Sequence, residues 1–180
     1  MRDSMKMLLR TWRTERDAYS WLEFNDRATG DAIIFIAVTQ LLTLIGTFRA
    51  LRVFLDADFF TLALSFVVDA LFFWLILSGL AFAVVKFLFQ ENLDFAFVLR
   101  LTGFAYPTRL LRIAAVAFLQ PTTGSTVLIA GLLGTIWFGY IVAKGLDHAV
   151  EIGLARGALA VVGAYAGYLI ISSILSGFAF

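Results

Sequence analysis

Residues Phe59 to Phe89 read FFTLALSFVVDALFFWLILSGLAFAVVKFLF, and within them only Asp69 and Lys86 carry charge. As a helix this run would extend about 45 Å, more than the roughly 30 Å of hydrocarbon in a bilayer. A soluble domain of 180 residues has no core that could surround such a helix on all sides. The run therefore reads as the central span of an integral membrane protein, and the chain as an all-α, polytopic bundle.

Composition agrees. The chain is 61% hydrophobic and 15% charged, with a mean hydropathy of +0.91, which excludes disorder and argues against a soluble globule. A net charge of +1 gives no support to a nucleic-acid partner. The absence of cysteine removes disulfides, thiolate catalysis and cysteine-bound metals. The length leaves room for one bundle of spans and for no soluble catalytic domain beside it. The first thirty residues mix six basic with five acidic groups. They do not form a basic run, a short apolar core and a cleavage site, so the first span is expected to act as the insertion signal.

Two units are predicted. Residues 1–30 form a cytoplasmic amphipathic or interfacial segment, and residues 31–180 form five transmembrane helices. In the first unit Met5, Leu8, Leu9, Trp12, Trp21, Leu22 and Phe24 are interleaved with Lys6, Arg10, Arg13, Arg16 and Arg27. That spacing suits one or two helices at headgroup depth, with a tail docked on the bundle as the plainer alternative. Span 1 is expected over about Ala32–Phe48, capped by Thr29 or Asp31, with Thr39, Thr43 and Thr47 turned toward a neighbour or bonding back to their own helix. Span 2 is the opening run, its membrane part near Phe59–Leu80. After the polar turn QENLD (90–94), span 3 runs to about Gln120 and is kinked or interrupted at Pro107. Residues 95–106 are then a candidate re-entrant or surface piece. Span 4 covers about Thr126–Ala143, KGLDHAVEIGLA (144–155) connects, and span 5 covers about Gly157–Phe178.

Small residues stripe the last two spans: Gly131, Thr135, Gly139 and Ala143 on one, Gly153, Gly157, Ala160, Ala164 and Gly167 on the other, with Gly163 and Gly167 as a formal GxxxG pair. Close packing of these helices is expected. No internal repeat supports an inverted-repeat transporter. With the N-terminus cytoplasmic, that side receives the six basic residues before Gly30 and also Lys86, Arg100, Lys144 and Arg156, against Arg49 and Arg52 opposite. This asymmetry predicts N-in and C-out in the inner (cytoplasmic) membrane.

Asp69 lies about 15 Å along its helix from Phe59, and Arg109 and Arg112 sit inside span 3. Unpaired charge at that depth is costly, so an Asp69–arginine pair is predicted, either static or lining a polar cavity or ion path. The alternative is a shallow third span whose arginines snorkel to the headgroups. His148, between Asp147 and Glu151, has too few neighbours for zinc. It reads as a loop histidine satisfying a helix end, with a proton-sensitive contact as the alternative. Tyr106, Tyr140, Tyr165 and Tyr168 are expected to pack with one hydrogen bond each. There is no HExxH, Walker loop, dinucleotide glycine pattern or GxSxG elbow. No catalytic residue, metal ligand or cofactor is predicted.

Two stretches carry a resemblance: LRLTGFAYPTRLLR (99–112) and GLLGTIWFGYIVAKGLDHAVEIGLARGALAVV (131–162). Gly103-Phe104-Ala105-Tyr106-Pro107 resembles the glycine–aromatic element before a proline in the third span of the Yip1-domain family. Trp137, Gly145, Leu146, His148 and Arg156-Gly157-Ala158 resemble the run that leads into that family's last helix. The resemblance covers about residues 31–177 and is to the compact prokaryotic members. It implies a five-span helical membrane fold with a cytoplasmic N-terminus. Eukaryotic relatives act in vesicle trafficking with Rab-type GTPases. Their long cytoplasmic region and its aspartate–leucine–tyrosine–glycine–proline element are missing here, and the Arg109–Arg112 pair departs from the pattern.

The expected function is non-enzymatic. The chain would bind phospholipids, other membrane proteins or a second copy of itself, as a scaffold, membrane-organising factor or accessory subunit. The alternative is a small transporter or channel that uses Asp69, Arg109 and Arg112.

Overall fold

A computed structural model describes residues 2–54, 58–111, 113, 114 and 124–177, with side chains outside 48–54, 124–127 and 175–177. Among the described residues every element is helical: α1 (Arg2–Trp12), α2 (Arg16–Phe24), α3 (Ala28–Phe54), α4 (Phe59–Ala83), α5 (Phe95–Ala105), α6 (Gly124–Val150) and α7 (Leu154–Gly177). A π-turn, Val84–Leu88, prolongs α4, and a 3-10 turn, Tyr106–Arg109, follows α5. Four helices are long and apolar enough to cross a membrane, within Ala28–Thr47, Phe59–Leu88, Leu128–Val150 and Leu154–Ile174. The chain is an all-helical, multi-pass membrane protein by this criterion.

Local chemistry sets the boundaries. The Asp58 carboxylate accepts from the Thr61 N–H at 2.7 Å and caps α4. That bond holds the exposed Asp58 carboxyl below its usual range. The Asp94 carboxylate accepts from the Ala96 N–H at 3.1 Å and starts α5. The segment read as the connector after span 4 is largely helical, because α6 continues to Val150. It turns only at Glu151 and Gly153, where φ is +51° and +83°, and the Gly153 N–H is received by Asp147 Oδ1 at 2.9 Å.

The third span departs most from expectation. Helix α5 has 11 residues, about 16 Å of rise, and gives way to the 3-10 turn at Pro107. Residues 95–106 are not a surface piece. Phe97, Val98, Leu101, Phe104 and Ala105 are all buried, and α5 packs against α1, α2, α3, α4 and α6. Close approach is possible because Gly103 faces Ala32 of α3, where a methyl group would collide. Arg100 sits on the buried side of this same helix.

The small residues divide between neighbours. A Cβ on Gly157 would meet the Ala143 carbonyl oxygen at 2.6 Å, so α6 and α7 touch backbone to backbone there. Gly139 faces Val161 across the same seam. Gly163 and Gly167, however, face Val84 and Leu80 on the α4 side, and Gly134 faces the Thr108 carbonyl. Helix α7 is therefore packed on two sides at once. We expect Gly157→Ala to destabilise by about 1–3 kcal/mol through overpacking. Gly163→Ala, which finds ordinary contact at 3.6 Å, should be neutral or stabilising by up to about 1 kcal/mol. Thermal unfolding of the two variants in detergent measures the contrast.

Candidate functional site

Three polar assemblies stand out against the apolar bundle. The first fastens the N-terminal helices. Arg100 is 4% exposed, and its Nη1 donates to the Leu22 and Glu23 carbonyls at 3.0 and 2.9 Å. Its Nε donates to Thr29 Oγ1 at 3.1 Å, and its Nη2 to the Asp26 carboxylate. Leu22 and Glu23 are in the last turn of α2, so their carbonyls have no donor within the helix. A cation at that end also meets the negative pole of the helix dipole. The arginine counted on the cytoplasmic side for its charge is thus a buried cap. Nothing in the local pattern announced it except a lone cation inside an apolar run.

Further bonds complete the attachment. Ser4 Oγ donates to Asp31 at 2.6 Å, and Trp12 Nε1 donates to the Phe104 carbonyl at 3.1 Å. Tyr19 OH donates to the Ile141 carbonyl at 3.3 Å. His148 shares a 3.1 Å hydrogen bond with Ser20 Oγ, and its ring lies 5.8 Å from that of Tyr19. It belongs to the last turn of α6 rather than to a loop.

The second assembly surrounds the Pro107 break. A 3-10 turn bonds three residues back rather than four, which strips the Phe104 carbonyl of its usual donor. Trp12 supplies one, and Thr108 Oγ1 donates to Ala105 at 2.9 Å. Tyr106 OH accepts from Gln40 Nε2 at 2.8 Å and from Arg109 Nη1 at 3.2 Å. The Arg109 guanidinium lies 4.3 Å from the Phe73 ring centre and 5.2 Å from that of Tyr106, within cation–π range. Phe73 also meets Tyr165 at 6.0 Å and Tyr168 at 4.7 Å. Tyr165 OH is buried without a hydrogen-bond partner among the described residues.

The third feature is Asp69. It is exposed on α4, beside exposed Leu64, Val68 and Phe72. The expected Asp69–Arg109 ion pair is absent: the only ion pairs among the described residues involve Arg10 and Arg100. Counting rise along the helices placed the two charges at similar depth, but their azimuths differ. Arg109 turns inward onto aromatic faces and Asp69 turns outward. Arg112 lies outside the described residues. Among these residues no three His, Cys, Asp or Glu side chains are grouped to hold a metal ion.

No family model matches the chain, and comparisons with curated proteins and with solved structures return no match.

The N-terminal attachment can be tested with three variants. Arg100→Met leaves two carbonyls without donors and should cost about 2–4 kcal/mol. Hydrogen exchange should then rise selectively over residues 2–30. Asp26→Asn, whose side chain is 95% exposed, should cost no more than about 1 kcal/mol. Burial, with a smaller push from Tyr140, raises the Tyr19 phenol above its ordinary value. Above about pH 10 the unfolded chain loses this proton while the folded chain keeps it, so stability falls as pH rises. Tyr19→Phe should therefore shift the alkaline unfolding midpoint upward, followed by tryptophan fluorescence in detergent.

Proposed function

We propose that the chain is a non-enzymatic protein of the inner membrane that crosses it five times, N-terminus cytoplasmic and C-terminus outside, and binds other membrane proteins. The fifth crossing is assigned to α5 and its continuation beyond Pro107. In support, this segment follows α3 along most of its length. Arg100 meets Thr29, Gly103 faces Ala32, Tyr106 meets Gln40, and Gly46 faces Ile113. From Thr29 to Gly46 is about 25 Å of helix. The distribution of basic residues supports the orientation. Exposed Met5, Leu9 and Phe24 on the N-terminal helices support contact with the headgroup layer and its phospholipids. Membership in the Yip1-domain family belongs to this same proposal and rests on the two quoted stretches.

The outward carboxylate of Asp69 carries the binding role. On an apolar outer face it would cost about 2.5–3.5 kcal/mol in hydrocarbon. A partner helix that presents a lysine, arginine or other donor would recover that cost. Its register would be set along the exposed edge of Thr61, Ser65 and Asp69. The test is Asp69→Leu in the full chain. The expected result is a higher melting temperature of the isolated protein in detergent and loss of the partner that co-purifies with the wild type. An unchanged melting temperature and an unchanged set of co-purifying proteins would contradict the proposal. A second reading, a small transporter or channel, draws on Arg109, a cation placed inside the bundle rather than on its rim.

A further inference from the structure

The cluster around Phe73 has an imbalance of hydrogen-bonding groups. Arg109 offers five N–H donors, and the described contacts use one, to Tyr106 OH. That oxygen already accepts from both Gln40 and Arg109, so its own proton is left for a further acceptor. Tyr165 OH is buried with neither donor nor acceptor beside it. Its ring lies 6.0 Å from that of Phe73, the ring against which the Arg109 guanidinium is placed at 4.3 Å. No carboxylate among the described residues pairs with Arg109. The site therefore holds one positive charge and a surplus of donors contributed by two elements, the 3-10 turn and α7.

A buried polar group without a partner and a cation without a counter-ion are both costly in an apolar bundle. One ligand removes both costs if it is an anion with several acceptor oxygens. A cation is excluded by the guanidinium. A neutral lipid tail would leave every donor unmet. Arg109 is only half-buried, so its remaining N–H groups are reachable. Donors contributed by separate elements around one ring, Phe73, suit a tetrahedral oxyanion, whose oxygens point in several directions, better than a planar carboxylate. The Phe73 and Tyr106 rings supply the aromatic faces against which the guanidinium lies.

We propose that Arg109, Tyr106 and Tyr165 form an anion site inside the bundle that takes a phosphate oxyanion, carried by a phospholipid headgroup or as free phosphate. This goes beyond the outer-face reading and does not depend on a partner at Asp69. Its test uses the full chain in a non-ionic detergent and phosphate-free buffer. Melting temperature is followed on addition of dioctanoyl phosphatidylglycerol, inorganic phosphate, or dioctanoyl glycerol, which has the same tails and no phosphate. The site predicts a rise with the first or second and none with the third. A rise with the phospholipid alone assigns a headgroup, and a rise with inorganic phosphate assigns the free ion. Tyr165→Phe removes a hydroxyl that has no partner among the described residues, so it should fold at least as well as wild type. It should weaken the apparent affinity about ten-fold, the loss of one hydrogen bond to a charged group. Arg109→Gln should abolish the rise. No rise with either phosphate, or the same rise in Tyr165→Phe as in wild type, overturns the proposal.

Discussion

Hydrocarbon gives a broken helix no water to bond to, and this bundle is built around such a break. Pro107 cannot donate to the helix ladder, and the chain tightens there into a 3-10 turn. Side chains from two other helices and from the turn itself meet the consequences. Trp12 from the first helix serves the Phe104 carbonyl, Gln40 from α3 serves Tyr106, and Thr108 turns back on its own helix. The break also lets Tyr106 and Arg109 reach the aromatic ring set on α4 and α7. Short α5 is thus the element that touches nearly all the others, although it is far from the longest.

The N-terminal helices answer a related constraint. A helix that ends against protein needs donors for its last carbonyls. Arg100 provides them for α2, and in doing so ties the first thirty residues to the centre of the bundle. The cation is nearly enclosed while its carboxylate partner Asp26 faces solvent. Most of its hold therefore comes from the two backbone carbonyls rather than from the ion pair. Tyr19 and Ser20 add two bonds from α2 to α6, one to the Ile141 carbonyl and one to the His148 ring. Outward-facing Met5, Leu9 and Phe24 then remain as an apolar rim beside the ends of the spans.

The long helices were legible because their signal is local. An uninterrupted apolar run longer than a bilayer is thick leaves few alternatives, and α4 shows this most clearly. Cap residues such as Asp58 and the turn after His148 carry weaker local marks, and α6 therefore runs several residues past the end that its apolar run suggests. What stayed hidden depends on partners remote in sequence. Arg100 bonds backbone carbonyls 77 and 78 residues away, and a carbonyl has no residue type to recognise. Asp69 and Arg109 illustrate a different limit. Rise per residue fixes depth, whereas facing requires knowing how each helix is rotated in the bundle. Gly163 and Gly167 matched a packing motif, yet the motif does not name the helix they pack against, which is α4.

Five crossings require the chain beyond Pro107 to pass on through the membrane. Because the chain has no cysteine, single cysteines can be introduced without background and labelled with a membrane-impermeant maleimide in intact and opened vesicles. Asn92, between α4 and α5, and Glu151, between α6 and α7, are both exposed or half-exposed connectors. Five crossings place them on one face, the cytoplasmic one, together with Asp17, while Asp58 reacts from the opposite face. Labelling of Asn92 and Glu151 from opposite faces would contradict the account, because α5 would then not cross.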